Sequence, residues 1–132
     1  IAAVSAYHEA LAIYSQRATL GVSQIAVVYE KIGAAYNKIG QSESAILALR
    51  KSLQQNPLNA GARYQMALAY AVSGKTATAL HAVKEAFASA ADNSELRRLV
   101  LLAKTDVELE AVRDLPGFRP LVAQVADRVA SR

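Results

Sequence analysis

One register organises this chain: Ile32, Gly33, Tyr36, Gly40, Ala45, Leu49 and Pro57 are followed 34 residues later by Met66, Ala67, Tyr70, Gly74, Ala79, Val83 and Ala91. That period is the length of a helix-turn-helix unit. A single such unit has too little apolar surface to stand alone, so units stack on their neighbours and build an elongated, curved surface. The expected fold is all-α, an α-α superhelix of helix pairs, and its architecture points to binding before it points to chemistry.

Elementary physics supports the register. Tyr29, Ile32, Gly33, Tyr36 and Ile39 advance by three or four residues and share one helix face. Gly33 lacks a side chain where a partner helix must come close, and Ala45 answers it across the pair. Gly40 and Gly74 fall where the first helix of each unit ends, a place suited to a left-handed residue. Ser42 and Thr76 follow as expected N-caps of the second helices. Pro57 stops the second helix, because the residue before a proline is pushed out of the helical region.

Composition narrows the class. The 132 residues are 53% hydrophobic with only six Gly and three Pro, which suits packed helices better than a sheet or a disordered linker. No apolar run approaches the roughly 18 residues that cross a bilayer. Leu99 to Ala103 is short and sits between charges. The absence of cysteine excludes a disulfide framework and a cysteine zinc site but leaves the compartment open, the cytoplasm being favoured. Ala3, Tyr7 and Ala10 sit like residues of a second helix, so the chain reads as a fragment that starts in mid-repeat. A signal peptide fits poorly, since no basic stretch precedes the apolar residues and Glu9 interrupts them.

The same positions carry a family resemblance. The pattern W-x2-L-G-x2-Y, A-x3-F, P describes the tetratricopeptide repeat, and the chain resembles it twice in tandem. In residues 26–59 Tyr29 stands for Trp, Ile32 for Leu, Leu49 for Phe, while Gly33, Tyr36, Ala45 and Pro57 match. In residues 60–93 Arg63, Ala67, Val83 and Ala91 depart from the pattern. The resemblance implies a right-handed solenoid over the whole chain. Residues 1–25 would be a preceding second helix with its connection, 26–59 and 60–93 full repeats, and 94–132 capping helices. Within the last part, Asp92 with Glu95 and Thr105 with Glu108 form expected capping boxes. A final helix is expected from Pro116 to Ala130, with an apolar stripe of Phe118, Leu121, Val122, Val125 and Val129. The run Asp106, Leu109, Val112, Arg113, Pro116, Phe118, Leu121 also resembles the D-x-x-L-x-x-L-R-x-x-P-x-F-x-x-L ending of many bacterial tetratricopeptide arrays in larger signalling proteins, with Val112 in place of Leu.

In this family the first helices line a concave groove, with ligand contacts at repeat positions 2, 5, 9 and 12. Those rows are Val27, Gly61, Glu95; Glu30, Tyr64, Arg98; Ala34, Leu68, Leu102; and Asn37, Ala71. The resemblance makes Val27, Glu30, Ala34, Asn37, Tyr64, Gln65, Leu68, Ala71, Arg98 and Leu102 the candidate peptide-binding groove, with Tyr64 as an anchor. Leu68 and Leu102 read equally as core covered by the C-terminal helix. The family's two-carboxylate clamp is not expected, because its places hold Glu30, Ala34 and Gln65. Arg98 is the one groove cation to offer an acidic ligand.

Catalysis finds little support. His8 and His81 lie far apart, with no Asp or Glu at a metal-ligand spacing. Asp106, Glu108, Glu110 and Asp114 read as a solvated acidic patch, and Gly33, Gly40, Gly61 and Gly74 have packing or capping places. No cofactor or metal is expected. Nucleic acid is disfavoured despite a net charge of +4, because Arg50, Lys51, Lys75, Lys84, Arg97, Arg98 and Arg128 are scattered where a phosphate track needs a stripe. The expected function is a non-catalytic scaffold binding a peptide or partner helix. The alternative is a regulatory or oligomerisation segment of a larger bacterial signalling protein such as a kinase, cyclase or transcription regulator. A homodimer through Tyr7, Leu11 and Tyr14 on the N-terminal helix would belong to that reading.

Overall fold

The structure, a computed structural model, describes residues 21–130 together with Ser5 and His8. These residues form helices and turns without a strand: α1 Val22–Lys38, α2 Ser42–Gln55, α3 Ala60–Val72, α4 Thr76–Ser89, α5 Asn93–Thr105, a 3-10 turn Val107–Leu109, a one-turn α6 Glu110–Arg113, and α7 Phe118–Ala130. Helices α1 with α2 and α3 with α4 are the paired units, and α3 also packs on α1 and α2, which gives the stacked helix-pair superhelix. The preceding half repeat and the Tyr7, Leu11, Tyr14 dimer surface lie outside the described residues.

The two inter-helix turns are copies of one another. Gly40 and Gly74 take φ of +78° and +82°. The amide after each glycine returns to the last tyrosine of the helix, Gln41 N to Tyr36 O at 2.9 Å and Lys75 N to Tyr70 O at 2.9 Å. This is a Schellman turn, and only a residue without Cβ enters it unstrained. The turn is so tight that the next helix takes its first carbonyls from Gln41 and Lys75, which accept from Ala45 N and Ala79 N. Ser42 and Thr76 are therefore the first helical residues rather than the expected caps, and no side-chain cap bond forms at either place.

Close helix approach follows from small residues. A Cβ on Gly33 would stand 2.5 Å from Leu49 Cδ2 and Cγ and 3.3 Å from the Ala45 carbonyl oxygen. Ala45, Leu49, Ala62 and Ala69 make one buried cluster that joins the two units. Arg63, in the place of the family's tryptophan, donates to the Pro57 carbonyl at 2.9 and 3.3 Å and to Glu85 at 3.2 Å, fixing the connection between units by hydrogen bonds.

The joint also depends on Ser52, which is fully buried. Its hydroxyl donates to the Ala26 carbonyl at 2.6 Å and accepts from Asn59 Nδ2 at 3.1 Å. Asn59 in turn caps α3 by accepting from Ala62 N at 3.2 Å. One hydroxyl thus ties α1, α2 and the start of α3. Ser52→Ala is expected to lower stability by about 1–3 kcal/mol, the usual result of leaving buried polar groups unpaired. An unchanged denaturation midpoint would show that the joint holds without it.

A larger core runs through α3, α4, α5 and the C-terminal elements, with Leu99, Leu109 and Val112 fully buried and Phe118 and Val125 nearly so. Asp92 caps α5 by accepting from Glu95 N at 2.8 Å, while the Glu95 carboxylate reaches back to Ala91 N at 2.9 Å. The second expected capping box does not form. Helix α5 runs on through Thr105, whose hydroxyl bonds back to the Leu101 carbonyl at 2.8 Å, a use of threonine that continues a helix instead of starting one. Pro116 lies in a turn, and α7 starts at Phe118. The expected apolar stripe of α7 does pack on this core.

Candidate functional site

The structure brings part of the expected groove together. A cleft of about 270 Å³ is lined by Ala34, Asn37, Lys38, Tyr64, Gln65, Leu68, Val72, Leu102, Asp106 and Glu108. Its floor is the position-9 row, Ala34, Leu68 and Leu102, with the exposed Val72 on the rim. Leu68 is buried in the core and Leu102, half-buried, packs against it. Lys38 stands at one side, and Asp106 with Glu108 at the other.

Asn37 and Gln65 span the two units. The Asn37 amide nitrogen donates to the Gln65 backbone carbonyl and to Gln65 Oε1, both at 3.0 Å. What this pair can offer a ligand is the Asn37 carbonyl oxygen and the Gln65 amide nitrogen. Val27, Glu30, Ala71 and Arg98 do not line the cleft. Val27 is exposed. Glu30 lies across the first turn of α3, where a Cβ on Gly61 would meet its Oε2 at 2.5 Å, a favourable place for a carboxylate. Ala71 is packed against the core. Arg98 is half exposed beside Glu95 at 4.0 Å.

Tyr64 is placed differently from an open groove anchor. It is 2% exposed, and its hydroxyl donates to the Asp106 carboxylate. The chain's own 3-10 turn packs against α3 here. Arg113 holds that turn by donating to the carbonyls of Ala103 at 3.0 Å and Asp106 at 2.7 Å, the second of which also accepts from Leu109 N at 3.2 Å. Burial first, and then the Asp106 hydrogen bond and charge, push the Tyr64 phenol well above its ordinary pKa. Asp106 consequently leaves the acidic patch, whereas Glu108, Glu110 and Asp114 are exposed.

Lys38, Val72, Asp106 and Glu108 belong to the cleft although the family's contact positions omit them. A signal was present for three of these: 38, 72 and 106 are 34 residues apart, one step beyond Asn37 and Ala71. Elsewhere, His81 lies 3.2 Å from Glu85, which also pairs with Arg63 on the side away from the cleft. Among the described residues no three metal-ligating side chains converge, and no helix is long and apolar enough to cross a membrane.

With this geometry in place, comparison with known proteins is informative. A family model described as "Bacterial transcriptional activator domain" matches residues 2–99. The chain is also similar to "BBSome complex member BBS4 homolog" of Drosophila melanogaster, 36% identical over 91 residues, which are 69% of this chain and 18% of that protein. The chain thus spans less than a fifth of the length of this curated relative. No solved structure matches it.

Proposed function

The chain belongs to the bacterial transcriptional activator domain family, a tetratricopeptide-type helical repeat, and from that premise we propose that it is the non-catalytic interaction segment of a longer transcription regulator. It receives a peptide or a partner helix in the concave cleft, and contact with DNA lies elsewhere in the longer protein. The observation that carries this reading is the cleft itself: an apolar floor of Ala34, Leu68 and Leu102 with Val72 and polar groups on its rim, which suits side-chain pockets for a bound segment. Its modest size fits micromolar binding, about 8 kcal/mol.

Val72, 55% exposed on the cleft rim, and Leu58, 73% exposed outside it, are suitable sites for a photo-crosslinking amino acid. In the source cell, a partner is expected to be captured from Val72 and not from Leu58. Glu108→Lys, an exposed change at the cleft, should then alter the affinity of that partner by about tenfold or more, roughly 1.4 kcal/mol. Equal capture from both sites, or none from Val72, would overturn the reading.

A further inference from the structure

A second surface lies at the C-terminal end of the molecule and shares no residue with the concave cleft. Helices α5 and α7 leave between them a cleft of about 520 Å³ lined by Arg97, Val100, Leu101, Lys104, Val125, Ala126 and Val129. Leu101 is 62% exposed, an unusual state for leucine beside a core that buries Leu99 and Val125. Arg97 and Lys104 bracket it on the same exposed stripe of α5. Seven residues separate these two cations, two helical turns or ~10 Å along the axis. Neither takes part in the ion pairs formed among the described residues, and no carboxylate lines the cleft. The family match ends at Leu99, before Leu101, Lys104 and all of α7.

We propose that this cleft is a docking site for an acidic amphipathic helix of a protein partner, with two carboxylates two turns apart and an apolar residue midway between them. Charge complementarity selects that occupant. An apolar groove between two helices is filled by the ridge of a third, and the stripe Arg97, Leu101, Lys104 is matched by a ridge reading acid, apolar, acid at the same spacing. A second copy of this chain is disfavoured on the same ground. A two-fold contact places the same patch against itself and would bring Arg97 and Lys104 against their own kind. A bilayer is disfavoured by shape, since the apolar residues line a hollow between helices and Val125 within it is buried.

The test uses fluorescence anisotropy with three labelled helical peptides of equal length. One carries Glu residues seven apart around a Leu, one carries Lys at the same places, and one carries the Glu residues three apart. The wild-type chain is expected to bind the first at least about tenfold more tightly than the other two. Arg97→Glu with Lys104→Glu should invert the order between the first and second peptides. Both positions are exposed, and circular dichroism verifies that the variant folds. Methyl resonances of Leu101, Val125 and Val129 should shift on binding. Failure to bind the first peptide, equal affinity for all three, or an order that the double variant leaves unchanged would overturn the proposal. So would two other outcomes: self-association in sedimentation velocity that Leu101→Asp abolishes, which makes the occupant a second copy, or binding to phosphatidylserine vesicles without binding to peptide.

Discussion

Replacing Tyr64 with alanine is expected to lower the unfolding free energy by about 3–5 kcal/mol, the loss typical of a large aromatic removed from a core. The residue is 2% exposed within the buried cluster that also holds Leu68, Leu99 and Leu109, so truncation leaves a cavity. It also removes the donor from Asp106. Tyr64→Phe separates the two contributions: the ring stays, the hydroxyl goes, and about 1.5–3 kcal/mol is expected from a hydrogen bond to a charged group. The two variants also differ from wild type in their response to alkali. The unfolded phenol titrates near 10.0, and the folded one is raised above it. Below that pH both states keep the proton and the full contribution is present. Above it the unfolded chain releases the proton first, so wild-type stability falls relative to Tyr64→Phe by about 1.4 kcal/mol per pH unit. Urea denaturation at neutral and rising pH measures both effects. A Tyr64→Ala variant as stable as wild type would mean that the 3-10 turn does not depend on this residue for its seat.

Tyr64 also shows where sequence reasoning stopped. Its repeat position and its chemistry suit a ligand anchor, and its hydrogen-bond partner lies 42 residues away in the chain. The decisive residues were already visible as a motif. Asp106, Leu109, Val112, Arg113 and Phe118 follow the array-closing pattern, and each has a place in the closure: Asp106 receives Tyr64, Arg113 satisfies the end of α5, and the three apolar residues are buried. A motif names residues that act together without naming what they act on, and so the link to α3 was not legible. The helix pairs were legible because their constraints are local. Gly40 and Gly74 must supply a positive φ, and Gly33 must let a helix approach. The misplaced caps at Ser42 and Thr76 have the opposite cause. Cap preference is worth about 1 kcal/mol, and the geometry of a tight Schellman turn fixed the helix start one residue earlier than the side-chain chemistry would.

The closure gives Asp106 two roles. Its carboxylate holds Tyr64, and it also lines the cleft beside Glu108. The segment that follows α5 therefore shapes the cleft as well as covering the core.

The second large effect lies in the first unit, where Gly33→Ala and Leu49→Ala should each destabilise the fold but not additively. Leu49→Ala empties a fully buried site and is expected to cost about 2–5 kcal/mol. Gly33→Ala does the reverse: its new methyl would stand 2.5 Å from Leu49 Cγ, and a fully buried leucine has little room to yield. Overpacking of this kind costs about 1–3 kcal/mol, against which alanine recovers nearly 1 kcal/mol of helix propensity, leaving a net loss of up to about 2 kcal/mol. In the Leu49→Ala background the obstacle is gone. There Gly33→Ala fills part of the cavity and keeps its propensity gain, so its effect should change sign and the double variant should be more stable than Leu49→Ala alone. Denaturation of the four proteins gives the coupling directly. If Gly33→Ala costs the same in both backgrounds, the distance between α1 and α2 is set by the 3.3 Å approach to the Ala45 carbonyl, a backbone contact that no change at Leu49 relieves.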